Sequence, residues 1–514
     1  MPQEEVTGIK TPGIVTDPKV ILDTLKVKDI VHSHGTHCAF LASGTSIEGI
    51  NGLTGNSLGG MAPDAELILC TDQQTLDKNG NAIVNIDNGM SDYLAYMKHY
   101  AEKNNKELVI SVSMNSHEGW HNGTSPTAQL IGEYAKNHAF MLSAGNEGND
   151  SMYIHRTVKV GDSINVAAAG DKIEQIYYLK SVKPIEARIG IIDLRLNMEL
   201  SSFSVKLNTG EKADNTISIS TASDEWKKIR KYFEGNIYFT SSQGTAMESN
   251  TSDKTFPYTL INLHCIGSFA RFEGMIVYGM TLHIKPLEEP AEVFGWTDYN
   301  AELIKDDIYE KGTSDCCMGD WGTSGVPVSI GAWAANNIIK TIDGKTETND
   351  FGKVVGDIAT FSSYGTDLAG HKHPDICAPG VSGYAAINSF NYSVYPVVAQ
   401  KDFNNQFEGQ KSARTYAWGS GDGTSMATPV SAGIVALWLQ AARDKGKKLT
   451  SADIKDICAK TCDNDEFTNA KPERFGFGKI NAYKGLLYVM DLYDPTGING
   501  ISTNQPADIS FRVA

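Results

Sequence analysis

The chain has 514 residues, a length at which one hydrophobic core is seldom enough, so two or three domains are expected. Hydrophobic residues make up 41% and charged residues 21%, as in ordinary soluble globular proteins. The net charge of −16 argues against nucleic acid or an anionic membrane surface as the main partner. No apolar run is long enough to predict a membrane span.

The first ten residues, MPQEEVTGIK, contain neither a basic region nor an apolar segment, so they do not predict a signal peptide. Either the protein stays inside the cell or an upstream segment is missing from this chain. The eight cysteines are too sparse for a disulfide scaffold. No C-x-x-C pair occurs, which disfavours a zinc ribbon.

Between residues 61 and 170 the hydrophobic pattern alternates between strand and helix. This alternation is typical of a parallel sheet covered by helices, in which functional side chains gather at the carboxyl ends of the strands. The predicted elements are a strand at 65–70, a helix at 91–105, a strand at 107–114, a helix at 127–138 and a strand at 139–146.

From about residue 171 to 315 the pattern changes to short β runs separated by Gly, Asn, Asp and Ser, which predicts an antiparallel sandwich or jelly roll. The α/β pattern then resumes at 325–335, so the β region is predicted to be an insertion. The predicted parts are a discontinuous α/β domain at 1–170 and 325–493, an inserted antiparallel β domain at 171–324, and a linker or tail at 494–514.

The segment HSHGTHCA, residues 32–39, holds three histidines and a cysteine in eight positions. His32, His34 and His37 have spacing that suits either a metal-ligand set or a base serving a distant nucleophile. No other histidine–carboxylate cluster completes a metal site, so no metal is predicted there.

Two later segments carry groups that nucleophilic catalysis needs. In GTSMATP, Ser425 precedes a long apolar helix, and the free N–H groups and the dipole at such a helix start can stabilise an oxyanion. In SAGNEG, a buried strand ends in a polar turn, where the amide of Asn146 can donate to a developing negative charge.

The segments SHGTHCA, SAGNEG and GTSMATP, in this order, resemble the subtilisin-like serine proteases (subtilases, peptidase family S8). The resemblance covers roughly 20–170 and 325–490 and implies a three-layer subtilisin-like parallel sheet. It makes His34 the general base, Ser425 the nucleophile and Asn146 the oxyanion donor. His37 is expected to be a packed helix residue, and Cys38 is expected to lie under the catalytic histidine.

The resemblance also implies a substrate that binds as an extended strand between two segments. The residues expected to contact the substrate are Ser113, Met114, Asn115, Ser116, Ser143, Ala144 and Gly145.

The family's triad needs a further aspartate, which follows a strand and precedes a glycine. No segment matches: Val6 stands where the aspartate would be, and Asp17, Asp23 and Asp29 lack the strand and the glycine. Two explanations stay open. The loop before the histidine segment resembles that of subtilases with an inserted jelly roll, the Csp-type proteases, whose aspartate lies further upstream; we then expect the first strand and the aspartate to be absent from this chain. Alternatively, the protein is a pseudoprotease that binds peptides without cleaving them.

The expected function is therefore that of a serine endopeptidase acting on proteins or peptides, without nucleic acid or a cofactor. Calcium sites are common in the family, but the sequence places no ligands for them. Family habit and the tail segment TGINGIST favour a secreted, periplasmic or cell-surface bacterial location. A third interpretation makes the inserted β domain a carbohydrate- or protein-binding module, although a stabilising role is the simpler one.

Overall fold

The computed structural model describes residues 33–493, apart from 49, 51–56, 71–74, 77–81, 84–85, 170–171, 208–214, 219–226, 228, 230, 298–301, 304–308, 388–394 and 408–409, together with residue 495. The predictions made for Val6, Asp17, Asp23, Asp29 and His32 lie outside the described residues. The same holds for the predicted tail, apart from residue 495.

The first part of the chain alternates helices and short strands. Its elements are α1 (His34–Ser43), β1 (Ile47–Glu48), β2 (Ser57–Leu58), β3 (Thr75–Leu76), β4 (Ala82–Ile83), α2 (Ile86–Lys103), β5 (Val109–Val112), α3 (Pro126–Ala135) and β6 (Ala139–Ser143).

The middle part consists almost entirely of strands. They are β7 (Tyr153–Val158), β8 (Ile164–Ala169), β9 (Lys172–Leu179), β10 (Ile185–Asp193), β11 (Met198–Leu207), β12 (Asn215–Ser218), β13 (Phe233–Met247), β14 (Thr255–Phe269), β15 (Arg271–Phe272), β16 (Met275–Ile276), β17 (Tyr278–Pro286), β18 (Ala291–Thr297) and β19 (Glu302–Leu303).

The last part returns to a mixture of strands and helices. Its elements are a 3₁₀ turn (Asp320–Gly322), β20 (Val328–Trp333), β21 (Ile338–Lys340), β22 (Thr346–Thr348), a second 3₁₀ turn (Asp350–Gly352), β23 (Gly365–Thr366), β24 (Lys372–His373), β25 (Ile376–Pro379), β26 (Gly383–Ile387), β27 (Val397–Phe407), β28 (Gln410–Gly421), α4 (Thr424–Asp444), α5 (Ser451–Thr461), α6 (Glu466–Ala470), α7 (Pro472–Phe475) and α8 (Ala482–Val489).

A parallel sheet with the order β25-β20-β6-β5 lies at the centre of the α/β part. The inner strands β6 and β20 are covered on both faces, so nearly all of their residues are buried, whereas burial alternates in the edge strand β5. Met141 of β6 packs in the core formed with α1, α4, α5 and α8, whereas its neighbours Phe140 and Leu142 pack against α2 and α3. The described residues therefore form three layers, helix on sheet on helix, as the sequence predicts.

The predicted strand at 65–70 is not formed in the described part of the chain. Residues 66–70 have no ladder partner among the described residues, and the side chain of Leu69 is 70% exposed. An apolar run forms a strand only where another strand can pair with it, which the run itself does not reveal.

Two antiparallel sheets make up the middle part. One has the order β11-β10-β17-β8-β19 and the other β12-β13-β14-β9-β18-β7, and a single hydrophobic core takes residues from both. The strands β7 and β8, placed in the α/β domain from the sequence, pair with β18 and β17. The sheets therefore begin at Tyr153 rather than at residue 171.

The chain enters and leaves this sandwich at one place. Tyr153 N donates to Thr313 O at 3.0 Å, and Thr313 N donates to Tyr153 O at 2.7 Å. The two crossings between the α/β part and the sandwich therefore lie side by side.

Helix α4 is long and apolar enough to cross a membrane by length and composition alone. In the structure, 72% of that apolar window is buried inside the protein, where α4 packs across the parallel sheet. The apolar composition of α4 is thus explained by its position in the hydrophobic core.

Candidate active site

Helix α1 places His34 at its first turn. His37, Phe40 and Leu41 are buried at helical spacing, while Gly35 and Thr36 face outward. Phe40 and Leu41 pack the helix into the core that it shares with α4, and His34 is half-buried at the helix start.

His37 is a packed residue of this helix, as the sequence predicts. Its Nε2 donates to Gly383 O at 3.1 Å, and its ring stacks on Tyr395 with the centroids 5.1 Å apart. Burial lowers the pKa of His37 to about 4, so the ring is neutral at pH 7. Within the described ranges, no group of three or more His, Cys, Asp or Glu side chains could hold a metal ion.

Cys38 links the histidine and serine segments. Its Sγ lies 4.0 Å from both ring nitrogens of His34 and donates to Ser425 O at 3.3 Å. Burial raises the pKa of this thiol to about 11, so it stays protonated at neutral pH and does not compete as a nucleophile. The expectation that Cys38 packs beneath His34 agrees with this geometry.

Ser425 is the second residue of α4, and Gly423 is the residue before the helix. The φ of Gly423 is +141°, a conformation that residues with a Cβ rarely adopt. The Ser425 Oγ donates to Ser113 O at 3.1 Å, and the Ser113 Oγ donates to Ser425 O at 2.8 Å. The serine therefore lies in the first turn of the helix and is fixed against the segment after β5.

Asn146 is exposed in the turn that follows β6. Its Oδ1 accepts from Thr424 N at 2.9 Å and from Thr424 Oγ1 at 3.0 Å. A Cβ at Gly423 would lie 3.6 Å from Asn146 Nδ2. With the oxygen held, the NH₂ group faces the residues just before Ser425. Thr424 was not singled out from the sequence, although it stands between the glycine and the serine of the GTS segment.

The two predicted substrate segments lie side by side next to Ser425. The Ser143 Oγ donates to Met114 O at 3.3 Å, and the Asn115 Nδ2 donates to Ser143 O at 2.9 Å. The side chain of Met114 is 43% exposed. The structure thus brings the two segments together at the carboxyl ends of β5 and β6.

Several of the predicted contact residues have structural partners. The Oδ1 of Asn115 accepts from Trp321 N at 3.2 Å and from Ser116 N at 2.9 Å. Ala144 N donates to Ile330 O at 3.0 Å. Gly145, with φ at +118°, bonds through both N and O to Thr424 Oγ1. These contacts position the segments, and substrate contact by their residues remains a prediction.

Comparison with known proteins identifies similarity in both sequence and fold. The sequence model described as the subtilase family matches residues 22–478. The serine protease AprX of Bacillus subtilis (strain 168) is 30% identical over 163 residues, which is 31% of this chain and 30% of that protein, so the chain matches under a third of its curated relative. The CspB protease of Clostridium perfringens has a similar fold, with a TM-score of 0.56 at 16% identity, over 91% of this chain and 83% of that one.

Proposed function

The chain belongs to the subtilase family, and on that premise we propose that it is a serine endopeptidase that hydrolyses peptide bonds through an acyl-enzyme. Ser425 Oγ attacks the scissile carbonyl while His34 takes its proton. His34 then returns the proton to the leaving amine. Water, activated by the same histidine, attacks the acyl-enzyme and releases the second product.

The observation that carries the proposal is the convergence of three separate segments at the start of α4. Cys38 contacts both the ring of His34 and the carbonyl of Ser425, and Thr424 holds the amide oxygen of Asn146. The Asn146 NH₂ and the Ser425 N–H then form the donor pair for the tetrahedral oxyanion. For attack, the Ser425 hydroxyl must exchange its contact with Ser113 O for one with His34.

Three finer assignments belong to the same proposal. The inserted sandwich is of the jelly-roll type, which its two antiparallel sheets around one core support. The extended substrate lies between 113–116 and 143–145, whose mutual contacts beside Ser425 support that placement. The protein acts outside the cytoplasm, an expectation that rests on family habit.

A fluorophosphonate probe tests the proposal, because it reacts with a serine only where a base and an oxyanion site activate it. We expect the full-length wild-type protein to be labelled and to cleave a denatured protein substrate. The Ser425→Ala variant should lose both properties. Ser431→Ala is the matched control: Ser431 is also on α4 and buried, but its Oγ donates to Ala427 O within the helix.

Labelling by the probe and cleavage of the substrate distinguish the proposed protease from the pseudoprotease alternative. A full-length wild-type protein that is neither labelled nor active overturns the proposal and favours the pseudoprotease alternative. Labelling that survives in Ser425→Ala removes Ser425 from the role of nucleophile.

A further inference from the structure

The turn that carries Asn146 is bonded to a neighbouring segment on both sides of the asparagine. Ser363 N donates to Gly145 O at 3.1 Å, and Gly148 N donates to Phe361 O at 2.7 Å. Residues 361–363 belong to the segment between β22 and β23, far from the turn in sequence. The backbone before and after Asn146 is therefore attached to this one segment.

The side chain of Ser363 adds two bonds to a single residue of the turn. Its Oγ accepts from Glu147 N at 2.9 Å and donates to Glu147 Oε2 at 2.8 Å. Both residues are buried, and on the far side Glu147 Oε2 faces His117 Nε2 at 3.8 Å. A buried hydroxyl that both accepts and donates fixes its partner in two directions, since neither bond can be replaced by water without an opening.

The contact between Ser363 and Glu147 leaves no room for a side chain at Gly145. A Cβ at Gly145 would lie 2.3 Å from Glu147 Oε2 and 2.8 Å from Ser363 Oγ. The contact between Ser363 and Glu147 therefore needs a residue without a Cβ at position 145, and the positive φ of Gly145 also favours glycine. Thr424 holds the side chain of Asn146, and Ser363 holds the backbone that carries it.

We propose that Ser363 is a positioning residue for the oxyanion donor: its hydroxyl fixes the 145–148 turn so that Asn146 Nδ2 is aimed at the developing oxyanion. This inference rests on the proposed function. A donor that is displaced stabilises the transition state less but leaves contacts with the bound substrate intact, so kcat falls while KM does not.

The neighbouring serine provides a matched control. Ser362 is also buried, but its Oγ accepts from Ala332 N of the parallel sheet at 3.0 Å and not from the turn. Removing either hydroxyl leaves one buried N–H without its partner. Only the Ser363 change affects the residue that follows Asn146.

The first test is steady-state kinetics on a peptide substrate. Ser363→Ala should lower kcat about 10-fold with KM unchanged, which is less than the loss on removing an oxyanion donor outright. Ser362→Ala should keep kcat within about two-fold of wild type, the range expected where no transition-state contact is lost. Equal kcat losses in the two variants, or no loss in Ser363→Ala, would overturn the inference.

The second test does not need activity and so separates this inference from the proposed function. Amide hydrogen exchange is followed at Gly148, whose own bond to Phe361 O involves neither of the two serine hydroxyls. We expect Ser363→Ala to speed exchange at Gly148 by about 10-fold, since the turn opens more often once its clamp is removed, and Ser362→Ala to leave it unchanged. An unchanged rate in Ser363→Ala would show that the turn is held without the hydroxyl, whatever the activity of the wild-type protein.

Discussion

At the scale of single residues, the two ends of the Asn146 amide have different roles. The oxygen is bound twice by Thr424, and this leaves the nitrogen as the donor that faces the helix start. We predict that Asn146→Ala lowers kcat by about 10²–10³-fold, which is the loss that removal of one oxyanion donor usually causes. KM and folding should change little. Peptide kinetics and a circular dichroism melt measure the two effects.

The control for this change lies three residues further along. Asn149 is also exposed, and Asn149→Ala should leave kcat as in the wild type. An unaltered rate in Asn146→Ala would remove Asn146 from the oxyanion site and assign the stabilisation of the oxyanion to the backbone N–H of Ser425.

At the scale of elements, the packing of α1 against α4 sets the distance between the proposed base His34 and the proposed nucleophile Ser425. The two helices approach closely at Gly433, where an added Cβ would lie 2.4 Å from Ala42 O and 2.6 Å from Met61 Cβ. Because one of these atoms is a backbone oxygen, the two helices must move apart to accommodate the added Cβ.

We predict that Gly433→Ala destabilises the protein by about 1–3 kcal/mol, the cost of overpacking a close contact. Gly35→Ala is the comparison, because Gly35 lies in α1 with nothing within 4 Å of its added Cβ. That change should stabilise by about 0.5–1 kcal/mol, since alanine favours the helix. Urea unfolding of the two variants should therefore shift in opposite directions, and shifts in the same direction would contradict the helix contact.

At the scale of the whole molecule, an aromatic cluster joins the sandwich to the α/β part. Trp120 and Met152 of the α/β part pack with Tyr178, Phe294 and Trp296 of the sandwich. Trp296 Nε1 also donates to Cys316 O at 3.0 Å across this contact. The sandwich thus covers apolar surface that the α/β part would otherwise expose to water.

We predict that Trp296→Ala lowers the free energy of unfolding by about 3–5 kcal/mol, the usual cost of truncating a buried tryptophan. Phe272→Ala, at an exposed ring that contacts only the Arg195 guanidinium among the described cation–π pairs, should cost no more than about 1 kcal/mol. Urea unfolding followed by circular dichroism compares them. Equal effects would mean that the cluster does not hold the two parts together.

The sequence by itself determined the elements that repeat a strong local pattern. The runs that became β5 and β6 are rich in apolar, β-forming residues, so they could be recognised without a partner. His34, Asn146 and Ser425 could be selected as candidates because their three segments, in this order, resemble those of the subtilases. The packed states of His37 and Cys38 also followed from their positions in the histidine segment.

Only the tertiary structure decided what depends on partners distant in the chain. The run at 65–70 is as apolar as a strand but finds no ladder partner in the described residues, whereas β7 and β8 join the sandwich because β18 and β17 pair with them. The long hairpin β27–β28 was not predicted, since its sequence is polar and its stability comes from cross-strand pairing. Thr424 and Ser363 give no signal of their own. Their roles come from hydrogen bonds to a turn more than two hundred residues away, and such bonds exist only once the chain has folded.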